Sequence, residues 1–328
     1  MIPDMLVIVR GDIRRIMSQA DWLSAARLAF HAAAAGKANA PPPLHLPVAH
    51  GGFHAKGASL SLDRQYVAVK VNGNFPANPA EFGLPTIQGV IVLADGNNGV
   101  LLAILDSIEV TLRRTAAASA LAAQLLAAPK SSTLLVCGCG EQGRAHAEAL
   151  RYVLPIERVL LWDRDREAAE LLARAINGEP VDDFDAASLT ADIIACCTSA
   201  REPFLNAGIV RGGTFIAAVG ADNPDKNEIA PSLMASAAIV TDSTAQCAAM
   251  GDLHHALAAG LIAQNAVRAE LGEVVTRSKV GRRSPDEIII FDSTGTGLQD
   301  VAAAATIYER LSAAGTAQVI SLAREALR

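Results

Sequence analysis

The densest group of chemistry-bearing residues is Gly138-Cys139-Gly140-Glu141-Gln142-Gly143. It follows an apolar run, TLLVC, and opens a segment of helical character, RAHAEALRY. In a strand–turn–helix context the first two glycines allow a tight turn and close approach of a pyrophosphate. The third lets helix and strand pack together, and the helix N-terminus offers amide donors and positive potential. Asp163 ends the next strand, 20 residues after Gly143, where a carboxylate is placed to bind the ribose 2′- and 3′-hydroxyls. The same charge would repel a 2′-phosphate, which favours NAD(H) over NADP(H), while Arg164 and Arg166 leave room for dual use. An ordinary α/β turn capped by a surface aspartate is the other reading. The strand before and the helix after the glycines favour the dinucleotide.

A second set could handle a substrate: Lys56 in FHAKGAS, Lys70 in VAVKVNGNFPANP, Thr86 in GLPT, Arg113-Arg114, and Asp222 in VGADNPDKNE. Lys70 lies in an apolar, β-branched strand, where an unpaired ammonium is costly. Either a buried partner or an anionic ligand resolves that cost, or the strand is an edge and the lysine faces water. Asp222 follows an apolar strand at its carboxyl end, where α/β sheets bind ligands; a turn or cap aspartate is the plain alternative. No Ser/His/Asp triad and no HExxH or other metal spacing occurs. His254-His255, on a helix without acidic or cysteine neighbours at ligand spacing, reads as structural. Cys137 and Cys139 read as small packing residues.

Three regimes of elements must position these groups. The first, to about residue 115, has a helix over Asp21 to Ala35, an extended stretch after Pro41 to Pro43, and strands at Tyr66 to Val71 and Gly89 to Ala94. A turn-rich Asp95 to Gly99 then leads into Val100–Leu105, a hairpin signal. The second begins with an alanine-rich helix, Thr115 to Ala128. Strands and helices then alternate: Thr133 to Cys137, Gly143 to Tyr152, Val159 to Trp162 and Arg166 to Ile176, with further strands at Ile193 to Cys197, Thr214 to Val219, Ile239 to Thr241 and Ile288 to Phe291. Short apolar strands separated by helices imply a parallel sheet covered on both faces. The third regime, Gln299 to Leu327, reads as helix-rich.

The chain of 328 residues suggests two domains at roughly 150 residues each. Hydrophobic residues make up 51% and charged residues 19%, which excludes intrinsic disorder. A net charge of -6 without a basic block disfavours nucleic acid as a partner. The cysteines number five, an odd count without paired CxxC motifs, so a reducing compartment is expected and a disulfide framework or structural zinc is not. The N-terminus lacks the features of a signal peptide, and no run reaches the roughly 18 to 20 apolar residues of a membrane helix. A soluble, cytoplasmic protein is expected, with no metal and no membrane association.

Several segments together resemble the ornithine cyclodeaminase/mu-crystallin family, from about Pro41 to about Arg310: KVNGNFPANPAEFGLPTIQGV, LAILDSIEVTLRRTAAASALAAQLLA, CGCGEQG, VGADNPDKNEIAP and IIIFDSTGTGLQDVAAAATIYE. The resemblance implies an α/β fold: a Rossmann-type doubly wound parallel sheet, here 116–298, plus an α+β substrate-binding and dimerisation domain, here 1–115 plus 299–328. Members are typically homodimers acting on small amino or imino acids. By resemblance, Lys70, Thr86 and Arg114 hold the substrate α-carboxylate, and Asp222 is the acid/base residue near the nitrogen. Asp222 and Lys70 carry the catalytic chemistry. The expected cofactor contacts are Gly138, Gly140, Glu141, Gln142, Gly143, Asp163, Arg164, Thr198 and Ser293.

Two departures bear on the substrate. A Lys or Arg often follows the Pro-Pro pair in the family, and here Pro43 stands there. The next segment carries His54 and Lys56, where the cyclodeaminase has an acidic group for a distal amine. These side chains would not attract a second ammonium. Lys56 either meets a second substrate carboxylate, as the similar segment of iminosuccinate reductase suggests, or replaces the cation missing at Pro43. The expected activity is an NAD(H)-dependent interconversion of a 2-imino acid and an L-amino acid. The alternatives are an ornithine or lysine cyclodeaminase that recycles its NAD internally, and a non-catalytic, mu-crystallin-like binding protein.

Overall fold

The computed structural model describes residues 4–322, which form two compact units. One comprises the chain up to Arg114 and from Thr296 onward, and the other runs from Thr115 to Gly295. In chain order the first unit has β1 (Met5–Ile8), α1 (Arg10–Ile16), α2 (Gln19–Ala34), β2 (Ala38–Asn39), β3 (Leu44–Val48) and β4 (Gly51–Ser61). It continues with β5 (Gln65–Asn74), α3 (Asn78–Phe82), β6 (Ile87–Asp95) and β7 (Leu101–Asp106), then α4 (Ser107–Leu126), whose later turns belong to the second unit. The second unit contains β8 (Thr133–Cys137), α5 (Glu141–Val153), β9 (Arg158–Trp162), α6 (Arg166–Ile176), β10 (Glu179–Pro180), α7 (Phe184–Thr190) and β11 (Ile193–Cys196). There follow β12 (Phe215–Ala218), α8 (Pro231–Ser236), β13 (Ala238–Thr241), α9 (Thr244–Met250), α10 (Asp252–Ala258), β14 (Ala269–Glu270), α11 (Leu271–Val275) and β15 (Ile289–Asp292). The chain closes on α12 (Gly297–Ala314) and β16 (Gln318–Ile320) in the first unit.

The sheet of the second unit runs β10-β9-β8-β11-β12-β15-β13-β14, and every pairing is parallel. Its central strands are buried apart from the half-buried Thr133 that opens β8, as the sheet of a doubly wound fold must be. The chain leaves β8 toward β9 on one side and later returns to β11 on the other. The strand order therefore reverses beside Cys137, the position at which such sheets bind ligands.

The first unit is α+β. Its sheet is ordered β16-β1-β7-β6-β5-β4-β2, with β3 also on β4, and among these pairings only β1 with β7 is parallel. Alternate residues point to opposite faces. One face buries Leu60, Tyr66, Ala68, Ile91 and Leu93, with α12 packed on β4 and β5 and against α2. The other leaves Leu44, Leu46, Phe53, Val69, Val71 and Val90 exposed. No helix among the described residues is long and apolar enough to cross a membrane.

Three expectations are corrected. The helix read as Thr115 to Ala128 begins at Ser107, its first turn capped by Asp106 Oδ1 accepting from the Glu109 amide at 2.8 Å. The β-branched Ile108, Val110 and Thr111 had disguised that turn. The helix-rich reading of Gln299 to Leu327 holds only to Ala314, because Gly315 adopts a left-handed φ of 63° and ends α12. A strand, β16, follows and pairs antiparallel with β1; the rest of that reading, 323–328, lies outside the described residues. Finally, β5 is flanked by β4 and β6, so Lys70 is not an edge-strand lysine facing water.

Candidate active site

In the first unit, the buried face of the sheet carries a polar group within an apolar surround. Lys70 and Lys56 are directly opposed on β5 and β4, and so are Asn72 and His54 one pair further along. His54 in turn opposes His45 on β3, with the two rings stacked at 4.3 Å. Ser107, at the start of α4, donates to Asn72 Oδ1 at 2.6 Å.

The counter-charge comes from α12. Gly297 lies so close to β4 that a Cβ there would stand 2.7 Å from the Gly57 carbonyl oxygen. That approach brings the next turn of α12 onto Lys70. Asp300 Oδ2 is 2.7 Å from Lys70 Nζ, and its Oδ1 accepts from Arg114 Nε at 3.1 Å. Arg114 Nη1 also donates to Gln299 Oε1 at 3.0 Å, and Lys70 to Thr111 Oγ1 at 3.2 Å. Side-chain exposure is only 5% for Lys70, 7% for Arg114 and 1% for Asp300. Two buried cations thus share one carboxylate, which leaves the group with more positive than negative charge. Burial drives the Lys70 ammonium down to about 7, Asp300 opposes that, and Arg114 and Lys56 add to it. Burial pushes the Asp300 carboxyl up, but Lys70, Arg114 and Lys56 together outweigh it and hold the group below the usual carboxylate range.

Arg113 diverges from its neighbour and pairs with Glu109 Oε1 at 3.0 Å. Thr86 precedes Ile87, which opposes Asn74. It therefore lies beyond the fourth residue from Lys70, roughly 13 Å or more along an extended strand, and its carbonyl accepts from the Phe75 amide at 2.8 Å.

In the second unit, β8 runs into Gly138, whose φ of +93° suits glycine. A Cβ at Gly138 would lie 2.6 Å from the Cys197 carbonyl oxygen, whereas a Cβ at Gly140 would meet nothing within 4 Å. A Cβ at Gly143 would strike the Gly138 carbonyl. The open space is at Gly140, the N-cap of the 13-residue α5, which has no side-chain cap. Glu141 and Gln142 start that helix, and Gln142 Oε1 is buried without a partner among the described residues. His146 anchors the same turn, its Nδ1 donating to the Gln142 carbonyl at 2.8 Å. An uncapped helix start over an open glycine turn is a cradle for a diphosphate.

Asp163 follows β9 and turns its carboxylate toward this loop. Oδ2 accepts from the Cys139 amide at 2.7 Å and Oδ1 from the Asp165 amide at 2.9 Å. Arg164 is exposed beside it. Thr198 and Ser293 follow β11 and β15, and both meet buried carboxyls: Thr198 Oγ1 donates to Glu228 at 2.7 Å, Ser293 Oγ to Asp242 at 2.9 Å. Asp222 lies four residues beyond β12 with its side chain 53% exposed, its Oδ1 accepting from Lys226 Nζ at 2.8 Å. Cys139 is buried, and burial with the nearby Asp163 charge pushes its thiol up to about 12. His254 and His255 are bonded to the backbone carbonyls of Ala248 and Lys226.

Sequence reasoning missed Asp300, Gln299, Thr111 and Glu228. The signal for Asp300 was a charge inside an otherwise apolar, alanine-rich helix, which demands a buried partner.

Comparison with known proteins gives a consistent result. The model of the ornithine cyclodeaminase/mu-crystallin family matches residues 4–315. The alanine dehydrogenase of Archaeoglobus fulgidus is 35% identical over 309 residues, covering 93% of this chain and 94% of that one. The iminosuccinate reductase of Paracoccus denitrificans is 34% identical over 330 residues, covering 97% of this chain and all of that one. Among solved structures, an archaeal alanine dehydrogenase dimer with bound NAD superposes with a TM-score of 0.93 at 33% identity, covering 98% of this chain and 100% of that one.

Proposed function

The chain belongs to the ornithine cyclodeaminase/mu-crystallin family, and from that premise we propose that it is an oxidoreductase interconverting a small 2-imino acid and the corresponding L-amino acid. The observation that carries the reading is the Lys70–Asp300–Arg114 group, two buried cations on one carboxylate. Such a group is completed by a second carboxylate, the α-carboxylate of the substrate. Relatives named alanine dehydrogenase and iminosuccinate reductase act on substrates of that class.

Gly138, Gly140 and Gly143 would hold a nicotinamide dinucleotide, which when bound would supply hydride chemistry. Glu141 and Gln142 would open the helix over its pyrophosphate, Asp163 and Arg164 would meet its ribose, and Thr198 and Ser293 would line the remaining strand ends. The Asp163 carboxylate favours NAD(H) over NADP(H). Lys70 and Arg114 orient the carboxylate, so that Cα is held and does not have to be found by diffusion. Lys70, titrating near neutrality, gains charge as the carboxylate arrives. Asp222 exchanges the proton at the substrate nitrogen, the step that lets an imine accept, or an amine give up, a hydride. Lys56 and His54, on the same sheet face as Lys70, meet the substrate side chain, whereas Thr86, which family resemblance assigns to the carboxylate, lies too far along the strand from Lys70 to share that carboxylate with it. The working form is a cytoplasmic homodimer, supported by the dimeric relative and by the exposed apolar face of the first unit's sheet.

The test follows NADH oxidation with pyruvate, oxaloacetate or glyoxylate plus ammonia, and with the cyclic imine pyrroline-2-carboxylate. Rapid oxidation with at least one is expected. Silence across the panel, with ornithine converted to proline and no net NADH change, would replace the reductase reading by the cyclodeaminase.

A further inference from the structure

Glu228 lies in the segment after Asp222 and is fully buried. Its Oε1 accepts from the Thr198 amide and from Thr198 Oγ1, both at 2.7 Å, and its Oε2 accepts from the Gly220 amide at 2.8 Å. One carboxylate therefore ties the loop after β11 to the loop after β12, two residues before Asp222. The fit is close: a Cβ on Gly220 would strike the Glu228 carboxyl and the Thr198 carbonyl. Asp252, at the start of α10, holds Glu228 in turn, its Oδ1 accepting from the Glu228 amide at 2.8 Å and the Ile229 amide at 3.0 Å. Asp292, at the end of β15, then fixes α10 by accepting from the Leu253 amide at 2.9 Å. Three buried carboxyls thus form a relay, each gripping the backbone that carries the next.

We propose that Glu228 is a positioning residue: its carboxylate sets the Thr198 loop and the Gly220 turn, and through that turn it sets where Asp222 stands. The inference rests on Asp222 being the acid/base group. Burial raises both carboxyls, Glu228 to about 8 with the help of the Asp252 charge and Asp252 to about 6. Glu228 nevertheless meets three donors, whereas Asp252 Oδ2 and Asp292 Oδ1 have no partner among the described residues, so the hydrogen bonds favour an ionised Glu228 and leave a retained proton to Asp252 or Asp292. The two isosteric amides then have unequal consequences. In Glu228→Gln, whichever way the amide turns, its NH2 faces a backbone N–H and one loop is released. In Asp252→Asn, the oxygen keeps both amide bonds and the NH2 takes the place of the unpartnered oxygen.

The experiment compares these two full-length variants with the wild type by hydrogen–deuterium exchange across 197–223, by melting temperature, and by kcat and KM with whichever 2-oxo acid plus ammonia, or cyclic imine, the wild type converts to the amino acid. For Glu228→Gln the expected results are faster exchange confined to 197–223, a Tm within about 3 °C of wild type, and a kcat lowered at least about tenfold with KM changed less. Asp252→Asn, which touches neither substrate nor cofactor, stays within about threefold of wild type in kcat. Unchanged exchange and kcat in Glu228→Gln, equal behaviour of the two amides, or a kcat loss that simply tracks a collapsed Tm would each overturn the proposal. A wild type inactive on every imino acid would count against the functional reading alone, since the exchange measurement still decides whether Glu228 holds the two loops.

Discussion

Replacing Asp300 by Asn removes a negative charge shared by Lys70 and Arg114 while keeping the side chain's shape. At 2.7 Å from Lys70 Nζ and an effective dielectric constant near 20, the lost attraction is roughly 6 kcal/mol before relaxation. A pKa unit corresponds to about 1.4 kcal/mol, so a quarter of that attraction moves Lys70 by one unit. The direction is downward, because Asp300 favours the ammonium and burial, Arg114 and Lys56 oppose it. Lys70 already titrates near 7 in the wild type, so at neutral pH it escapes an unpaired buried charge by giving up its proton. Arg114 has no such escape, but it keeps Gln299 Oε1. The stability loss in Asp300→Asn is therefore expected to stay below the 3–5 kcal/mol usual for a broken buried pair. The assay is the affinity of a competitive monocarboxylate inhibitor between pH 5 and 9, with its own carboxyl ionised throughout. In the wild type, affinity should fall as pH rises through about 7; in Asp300→Asn the fall should come at least about one unit lower. Identical profiles in the two proteins would refute the argument that Asp300 sets the charge of Lys70.

Four further outcomes are expected. Asp222→Asn should lower kcat by about 10²- to 10⁴-fold while the NADH dissociation constant from fluorescence titration stays within about threefold; unchanged turnover would remove its assigned role. Asp163→Ser should raise the NADH dissociation constant and narrow the preference over NADPH, and a preference left intact would mean the carboxylate serves only the Cys139 and Asp165 amides. Arg268 and two amides hold Glu287 down to about 2. A lowered folded-state pKa gives stability that is present above the ordinary glutamate value and lost as pH falls toward the folded one. Glu287→Gln should therefore cost about 1–2 kcal/mol at pH 7 in denaturant titrations, with the difference shrinking between pH 4.5 and 2; a difference constant with pH would show that charge is not the cause. If the proposed homodimer forms through the exposed sheet face, Val71→Lys with Val90→Glu should yield monomers in light scattering where the wild type has the mass of two chains, and an unaltered mass would place the interface elsewhere.

The second unit was legible because its signals are local: strand, glycine turn, helix and following aspartate all lie within one stretch, and these elements form where they were expected. The first unit was less so. Nothing near Lys70 in sequence announces Asp300, because the pairing is made by α12 returning to the sheet, and only the cost of burying each charge hints at it. Strand β4 was hidden by Gly51, Gly52 and Gly57 with His54 and Lys56, residues of weak strand preference. It is read correctly only once Gly57 is known to accommodate Gly297. Arg114 was singled out, but its helix was started too late, so the divergence of Arg113 and Arg114 onto different partners could not be anticipated. Glu228 was passed over as one charge in an acidic turn segment.

The most direct test of the central claim uses NADH deuterated at both C4 positions. The enzyme is incubated with a 2-oxo acid of the panel and ammonium, and the amino acid formed is weighed by mass spectrometry. One deuterium at Cα, with one NAD produced per amino acid and the L-enantiomer alone, is the predicted result. An amino acid without deuterium, or proline formed from ornithine with no net oxidation of the cofactor, would contradict it.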